Sequence, residues 1–320
     1  MAEKKSVIHI TVDERGAGQR LDNFLAAHAR DVPKSRLYRA IRRGEVRING
    51  RRAKPLQRLN RADEVRIPPL ATRASENSSL NLPRSIAETL TSAIAHEDRD
   101  LIVINKPAGM AVHGGSGLSW GLIEALRALR SDVAHLELVH RLDRETSGCL
   151  VIAKRRSALR RVQRDLRERR LGKTYWAVVH GRWRGGPQTV DEPLLKQLSP
   201  SGERVVRIDP DGKPARSHFR PLDTSSLVSL VEVDIETGRT HQIRVHAASL
   251  SHPIVGDDKY GHRQRDADWA SEPTGLCLHA RRISIPATDT TDRLDITVEP
   301  PNPFASVLDQ HGLTPPRGRH

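Results

Sequence analysis

Only two cysteines occur in 320 residues, Cys149 and Cys277, far apart and in no CxxC pairing. That scarcity argues against a disulfide framework and a thiolate zinc site, and it fits a reducing cytosol. The opening "MAEKKSVIHI" has no apolar signal core, and no run approaches the length that spans a bilayer. A soluble cytoplasmic protein with no membrane contact is therefore expected. Metal signatures are also missing. His241, His246 and His252 do not follow HExxH spacing, and "THQIRVH" contains no carboxylate. On a helix capped by Thr240, His241 and His246 fall on different faces, so packing or hydrogen bonding is their expected role. The Gly-rich "GMAVHGGSG" (109–117) lacks the GxxxxGK[ST] ending of a P-loop and reads as a structural loop.

Positive charge is abundant. The formal net charge is +14, and the 53 basic residues comprise 10 Lys and 43 Arg. Guanidinium groups grip phosphates in bidentate fashion, so a polyanionic partner is indicated, although a genome rich in G and C also raises Arg everywhere. Clustering separates the two. From Lys34 to Arg58 ten basic residues face one acid, Glu45, and Arg36, Arg39 and Arg43 share one side of a predicted helix. A solvated basic helix is the plainer alternative to a nucleic-acid contact.

The chain is long enough for a small domain followed by a larger one, and 37% hydrophobic residues can fill real cores. Residues 18–70 form a first unit. "GQRLDNFLAAHAR" places Leu21, Phe24, Leu25 and His28 at helical spacing; "KSRLYRAIRRG" offers Ser35 as N-cap and Gly44 as stop. Val46 and Ile48 then alternate with polar residues, Asn49-Gly50 signals a hairpin turn, and Val65 and Ile67 mark a returning strand. Residues 71–85 are polar and without periodicity, a linker. Residues 86–308 mix strands such as "DLIVINK" and "LVSLVEVDI" with a helix over Arg155–Arg170, which predicts an α+β domain on a mostly antiparallel sheet. Residues 309–320 read as a disordered tail.

"LVHRLDRETSGCLVIAK" (138–154) puts Asp143 between Arg141 and Arg144 on an irregular turn between two strand-like runs. Flanking arginines keep a carboxylate ionised and attract a phosphodiester, and such a carboxylate serves as a nucleophile or general base. An ordinary charged turn, with Thr146, Ser147 and Gly148 supplying the bend, fits the same spacing. No carboxylates cluster near Asp143 as metal-assisted phosphoryl transfer requires.

Residues 18–70, with "RRGEVRINGRRA" after the basic helix, resemble the S4 RNA-binding domain over about fifty residues. That likeness implies structured RNA, ribosomal above all, as the ligand of Lys34, Arg36, Arg39, Arg43, Arg51 and Arg52. "HRLDRETSG" matches the signature of the RluA-type family of RNA pseudouridine synthases. "INKPAGMAVHGG" (104–115), "KTYWAVVHG" (173–181), "GRTHQIRVHAASLSHPIVGDDKYG" (238–261) and "LCLHARRI" (276–283) resemble that family's other motifs in order. The S4 domain ahead of them is similar to the branch acting on large-subunit ribosomal RNA, free or in an assembly intermediate. The resemblance implies that Asp143 starts cleavage of the uridine N1–C1′ bond, by attacking the ribose or removing a proton from it. Tyr175 would stack on the uracil, Arg244 pair with Asp143, and Ile243 pack against the base. Arg141 would fill the gap left by the extruded nucleotide, and Arg144 would contact phosphate. No cofactor or metal is implied, and a monomer is the default. A non-catalytic RNA-binding or ribosome-assembly protein on the same scaffold is the alternative; intact Asp143, Tyr175 and Arg244 speak against it.

Overall fold

The computed structural model describes residues 7–14, 16–29, 32, 34–70, 82–114, 120–198, 202–261, 266, 275–288 and 291–316, without the side chains of Lys34, Ser35 and Arg204. The chain divides after Asn81 into two units, each with its own buried cluster.

The front unit starts earlier than residue 18. Strand β1 (Ile8–Thr11) leads to helices α1 (Leu21–His28) and α2 (Lys34–Arg43), then to β2 (Arg47–Ile48), β3 (Arg51–Arg52) and β4 (Glu64–Ile67), in the sheet order β1-β4-β2-β3. The short β1 escapes a period-two reading because neither face of Ile8–Thr11 is fully buried. Its register with β4, Ile8 opposite Ile67, is antiparallel. Asn49 and Gly50 take φ of 49° and 76°, the doubly positive pair that a two-residue hairpin loop requires. Gly44, at φ 73°, ends α2 as expected. Ser35 lies inside α2 and is not its cap. Leu21, Leu25, Leu37, Ile41, Val46 and Val65 are buried, each stabilising the unit by roughly 1.5–3 kcal/mol relative to exposure.

The second unit begins with α3 (Arg84–Ser92), inside the stretch expected to be linker; residues 71–81 lie outside the described residues. There follow β5 (Ile94–Glu97), β6 (Leu101–Lys106), α4 (Leu122–Leu129), β7 (Glu137–Leu138), β8 (Ser147–Ala153), α5 (Arg156–Arg167) and β9 (Gly172–His180). Then come β10 (Gln188–Asp191), β11 (Leu194–Leu198), β12 (Arg204–Ile208), β13 (Arg216–Thr224), β14 (Val228–Ile235), α6 (Gln242–Ser249), β15 (Leu278–Ile285), β16 (Leu294–Thr297) and α7 (Asn302–Gln310). The main sheet runs β10-β13-β14-β9-β15-β8-β6-β5, with β16 on β15 and β7 on β8, and β11 pairs with β12 apart. Of the described pairings only β15 with β8 is parallel, so the mostly antiparallel α+β reading holds. All seven residues of β8 are buried, which is why "SGCLVIA" shows no polar alternation.

Two boundaries differ from the sequence reading. The helix expected over 155–170 is α5, Arg156–Arg167, because Arg169 takes a left-handed φ of 58°. Residues 309–316 are not a tail: α7 continues to Gln310, Leu313 is 4% exposed, and the Thr314 N–H donates to Asp223 Oδ2 at 2.7 Å. One leucine after Gly312 is too short a signal to show in a pattern, yet it closes over the core. Residues 317–320 lie outside the described residues.

Candidate functional site

Strands β8, β15, β9 and β14 are neighbours at the centre of the main sheet, and the residues singled out above gather at their ends. The Asp143 loop is held on both sides. On one side Lys106, fully buried at the end of β6, donates from Nζ to the carbonyls of Pro107 (2.7 Å), Met110 (2.9 Å) and Arg144 (2.9 Å). Burial pushes this ammonium down to about 7, against the opposing pull of Glu145 and Asp143. On the other side Gly148 pairs with Ala280 of β15 at φ 107°, and a Cβ there would fall 2.3 Å from the Ala280 carbonyl oxygen. Only glycine lets β8 and β15 meet at this point. Beside it Ser147 Oγ bonds His279 Nδ1 at 2.9 Å while His279 Nε2 donates to the Val298 carbonyl at 3.0 Å. That second bond puts the ring proton on Nε2 and makes Nδ1 the acceptor.

Held in this way, Asp143 is half-buried, and among the described residues its carboxylate makes no hydrogen bond and no ion pair. It lines a cleft together with Arg141, Tyr175, His241, Ile243 and Arg244. Tyr175, on β9, is 7% exposed. Burial first, then the negative charge of Asp143, raises its phenol well above the ordinary range, so the ring stands neutral in the wall. Ile243 and Arg244 come from the first turn of α6 and are buried.

The expected direct pair between Arg244 and Asp143 does not form. Arg244 Nε donates to Asp257 Oδ2 at 2.8 Å, and Nη2 donates to Asp257 Oδ1 at 2.6 Å and Asp258 Oδ1 at 2.9 Å. Asp257, 1% exposed, also accepts the N–H groups of Lys259 (2.9 Å) and Tyr260 (3.1 Å). Burial pulls Arg244 down, but Asp257, then Asp143 and Asp258, hold its pKa above the ordinary value. Its link to Asp143 is thus electrostatic across the cleft. The geometry follows from chemistry: a buried guanidinium with one carboxylate fixed beside it satisfies that one first and presents its field to the second.

His241 is the residue that the sequence reading undervalued. It occupies the N-cap position of α6 in place of Thr240, with a left-handed φ of 55°, and lines the cleft. Its Nδ1 bonds the Tyr260 hydroxyl at 2.8 Å, and the Tyr260 oxygen accepts the Val206 N–H at 2.9 Å. Burial lowers its pKa and the charge of Asp143 opposes that. A non-glycine residue at positive φ beside a free carboxylate is the strained conformation that functional sites carry; the spacing of histidines holds no sign of it. His246 has the hydrogen-bonding role expected of it, with Nδ1 bonded to Ser217 Oγ at 2.9 Å, and His252 Nδ1 bonds the His180 carbonyl at 2.8 Å.

The two arginines flanking Asp143 part company. Arg141 is exposed at the mouth of the cleft, whereas Arg144 turns away, donating from Nε to the Gly109 carbonyl at 2.9 Å. In the front unit Arg39, Arg43, Arg51 and Arg52 are exposed, and Arg36 is half-buried. Arg52 bonds the Arg42 carbonyl, and the side chain of Lys34 lies outside the described residues. Among the described residues no group of three or more His, Cys, Asp or Glu is placed to hold a metal, and no helix is long and apolar enough to cross a membrane.

Residues 100–249 match the RNA pseudouridylate synthase family and residues 19–65 match the S4 domain. The chain is 46% identical over 298 residues to the ribosomal large subunit pseudouridine synthase C of Escherichia coli (strain K12), covering 92% of this chain and 93% of that one. It is likewise 46% identical to the protein of that name from Pasteurella multocida (strain Pm70), covering 92% of each. Among solved structures, human RNA pseudouridylate synthase domain containing 4 superposes with a TM-score of 0.61 at 29% identity, over 73% of this chain and 98% of that one. With a relative of this identity matched along nearly its whole length, the chain belongs to the RNA pseudouridylate synthase family.

Proposed function

We propose that the chain converts uridines of large-subunit ribosomal RNA to pseudouridine, with Asp143 as the catalytic residue. The observation that carries this reading is the Asp143 carboxylate: held by a clamped loop, unpaired, and facing a cleft walled by Tyr175 and Ile243. An anion left without a partner in a half-buried site is costly, and a protein sustains it where a substrate completes it.

A glycosidic bond inside stacked RNA cannot reach such a cleft. The nucleotide must be extruded, at a cost of a few kcal/mol. Arg141, exposed at the mouth, is placed to offset part of that cost by filling the vacancy in the stack. In the cleft, Asp143 acts on the ribose, as nucleophile or as base, and the N1–C1′ bond breaks. The detached uracil is kept between the Tyr175 ring and Ile243 until C5 joins C1′. The net change moves the glycosidic bond from N1 to C5 and one proton from C5 to N1, with no redox step and no group acceptor. A phenol held neutral is a poor base, so Tyr175 serves as a stacking wall. Arg244 presents its charge to Asp143 across the cleft without pairing with it.

The exposed arginines of α2 and the β2–β3 hairpin fit a duplex or stem contact by the front unit, which supplies affinity and leaves chemistry to the second unit. The test is to map pseudouridine in large-subunit rRNA from a strain lacking this chain. The expected result is loss of modification at discrete uridines, restored by the intact chain; an unchanged map, with no activity of purified protein on rRNA transcripts, contradicts the reading.

A further inference from the structure

A second cavity, about 440 Å³, adjoins the cleft and shares Arg141, Tyr175, Ile235, Gly238 and Arg239 with it. Its distinctive member is Lys173. This lysine sits on β9 two residues before Tyr175, is 8% exposed, and its ammonium makes no hydrogen bond or ion pair among the described residues. Its ammonium is not sealed in the core. A Cβ added to Gly238, a residue common to both cavities, would lie 3.6 Å from Nζ. Arg141 and Arg167 line the same space, and their guanidinium groups too lack hydrogen-bond and ion-pair partners among the described residues. The carboxylate in the lining, Glu236, is engaged elsewhere, accepting from Arg169 at 2.8 Å and bonding His218 at 2.9 Å.

Burying an ammonium without a counter-charge is costly, and burial alone pushes Lys173 down to about 8. Lys106 shows how the same chain treats a lysine whose role is internal: three carbonyls at 2.7 to 2.9 Å saturate it. Lys173 has been given no such partners, and the space beside it is open, polar and cationic.

We infer that this cavity is a phosphate subsite, in which Lys173, supported by Arg141 and Arg167, binds a backbone phosphodiester next to the uridine held in the cleft. The inference rests on the reading above that the cleft takes a uridine of RNA. A phosphate meets what the cavity offers: one anionic group for three unpaired cations, at a position contiguous with the base pocket. Because Lys173 and Tyr175 share a strand, with their side chains on the same face of the sheet, seating the phosphate also sets the reach of the attached nucleotide toward Asp143.

The test uses the full chain with Lys173→Met and Lys173→Arg, and large-subunit rRNA from a strain lacking the protein as substrate. Three readouts are taken: KM and kcat for pseudouridine formation, the slope of log affinity against log salt, and the melting temperature without RNA. For Lys173→Met we expect KM to rise about tenfold, with the loss falling on KM and not on kcat, and the salt slope to shrink by about 0.7–0.9, the value of one phosphate contact. Lys173→Arg should recover most of both. Without RNA, Lys173→Met should melt at or above the unsubstituted protein, since it removes a buried unpaired charge. Unchanged KM and salt slope in the folded variant overturn the subsite; so does a lower melting temperature with the loss confined to kcat, which would make Lys173 structural. If the unsubstituted protein makes no pseudouridine, the functional reading fails by itself, and the salt slopes still decide whether Lys173 holds a phosphate.

Discussion

Arg244 is bound to Asp257 through two hydrogen bonds of 2.8 and 2.6 Å, and both side chains are buried. The cleft therefore has one carboxylate that anchors the arginine and another, Asp143, that feels its charge. Removing the anchor takes away two of the three carboxylate hydrogen bonds of a buried guanidinium and leaves only the one from Nη2 to the exposed Asp258. Asp257→Ala should cost about 3–5 kcal/mol of stability and reduce activity as Arg244 shifts toward Asp143. Thermal denaturation checks the first and turnover of the folded fraction the second. A variant as stable and active as the parent would show that the pair carries no weight.

Lys106 ties the carbonyl next to Asp143 to the turn after β6. Lys106→Met keeps the volume but leaves the carbonyls of Pro107, Met110 and Arg144 without a donor, at about 1–3 kcal/mol for each that finds no water. The expected outcome is a kcat lowered about tenfold, equivalent to about 1.4 kcal/mol, with RNA affinity retained. Equal turnover would mean that the loop keeps its geometry without the clamp.

Acid should destabilise the second unit in a window that His279 shares with His140, whose pKa burial likewise pushes down to about 4. The His279 ring is fully buried between Ser147 and Val298, and burial pushes its pKa down to about 4, from about 6.5. The unfolded chain therefore binds the proton first. Stability falls as pH drops from about 6.5 and levels out below about 4, a loss of roughly 3 kcal/mol from this one group. His279→Gln, which can accept from Ser147 and donate to Val298 but cannot titrate, should remove the share of the slope due to His279 and leave that of His140. Denaturant midpoints between pH 7 and 4 read it directly.

The sequence was legible where local chemistry decides the outcome. The Asn49-Gly50 turn, the Gly44 stop and the apolar strands around β8 all stand where the pattern places them. Asp143, Tyr175, Ile243 and Arg244 do gather in one cleft, which their motifs implied and their spacing could not, since it takes the neighbouring order β8, β15, β9, β14 to bring them together. What stayed hidden depends on long-range satisfaction of charge. Arg244 has two acids 13 and 14 residues away that claim it before Asp143 can. His241 in its left-handed turn, Lys106 among three carbonyls and the unpaired Lys173 look like ordinary residues until burial and partners are known.

The central claim is that the free carboxylate of Asp143 does the chemistry. The most direct measurement is single-turnover pseudouridine formation on large-subunit rRNA by Asp143→Asn, which keeps the side chain's size and removes its charge, alongside RNA affinity and melting temperature. No detectable product is expected, with affinity within a few-fold of the parent and an equal or higher melting temperature, since no protein partner is lost. Product formation within tenfold of the parent rate would contradict the claim.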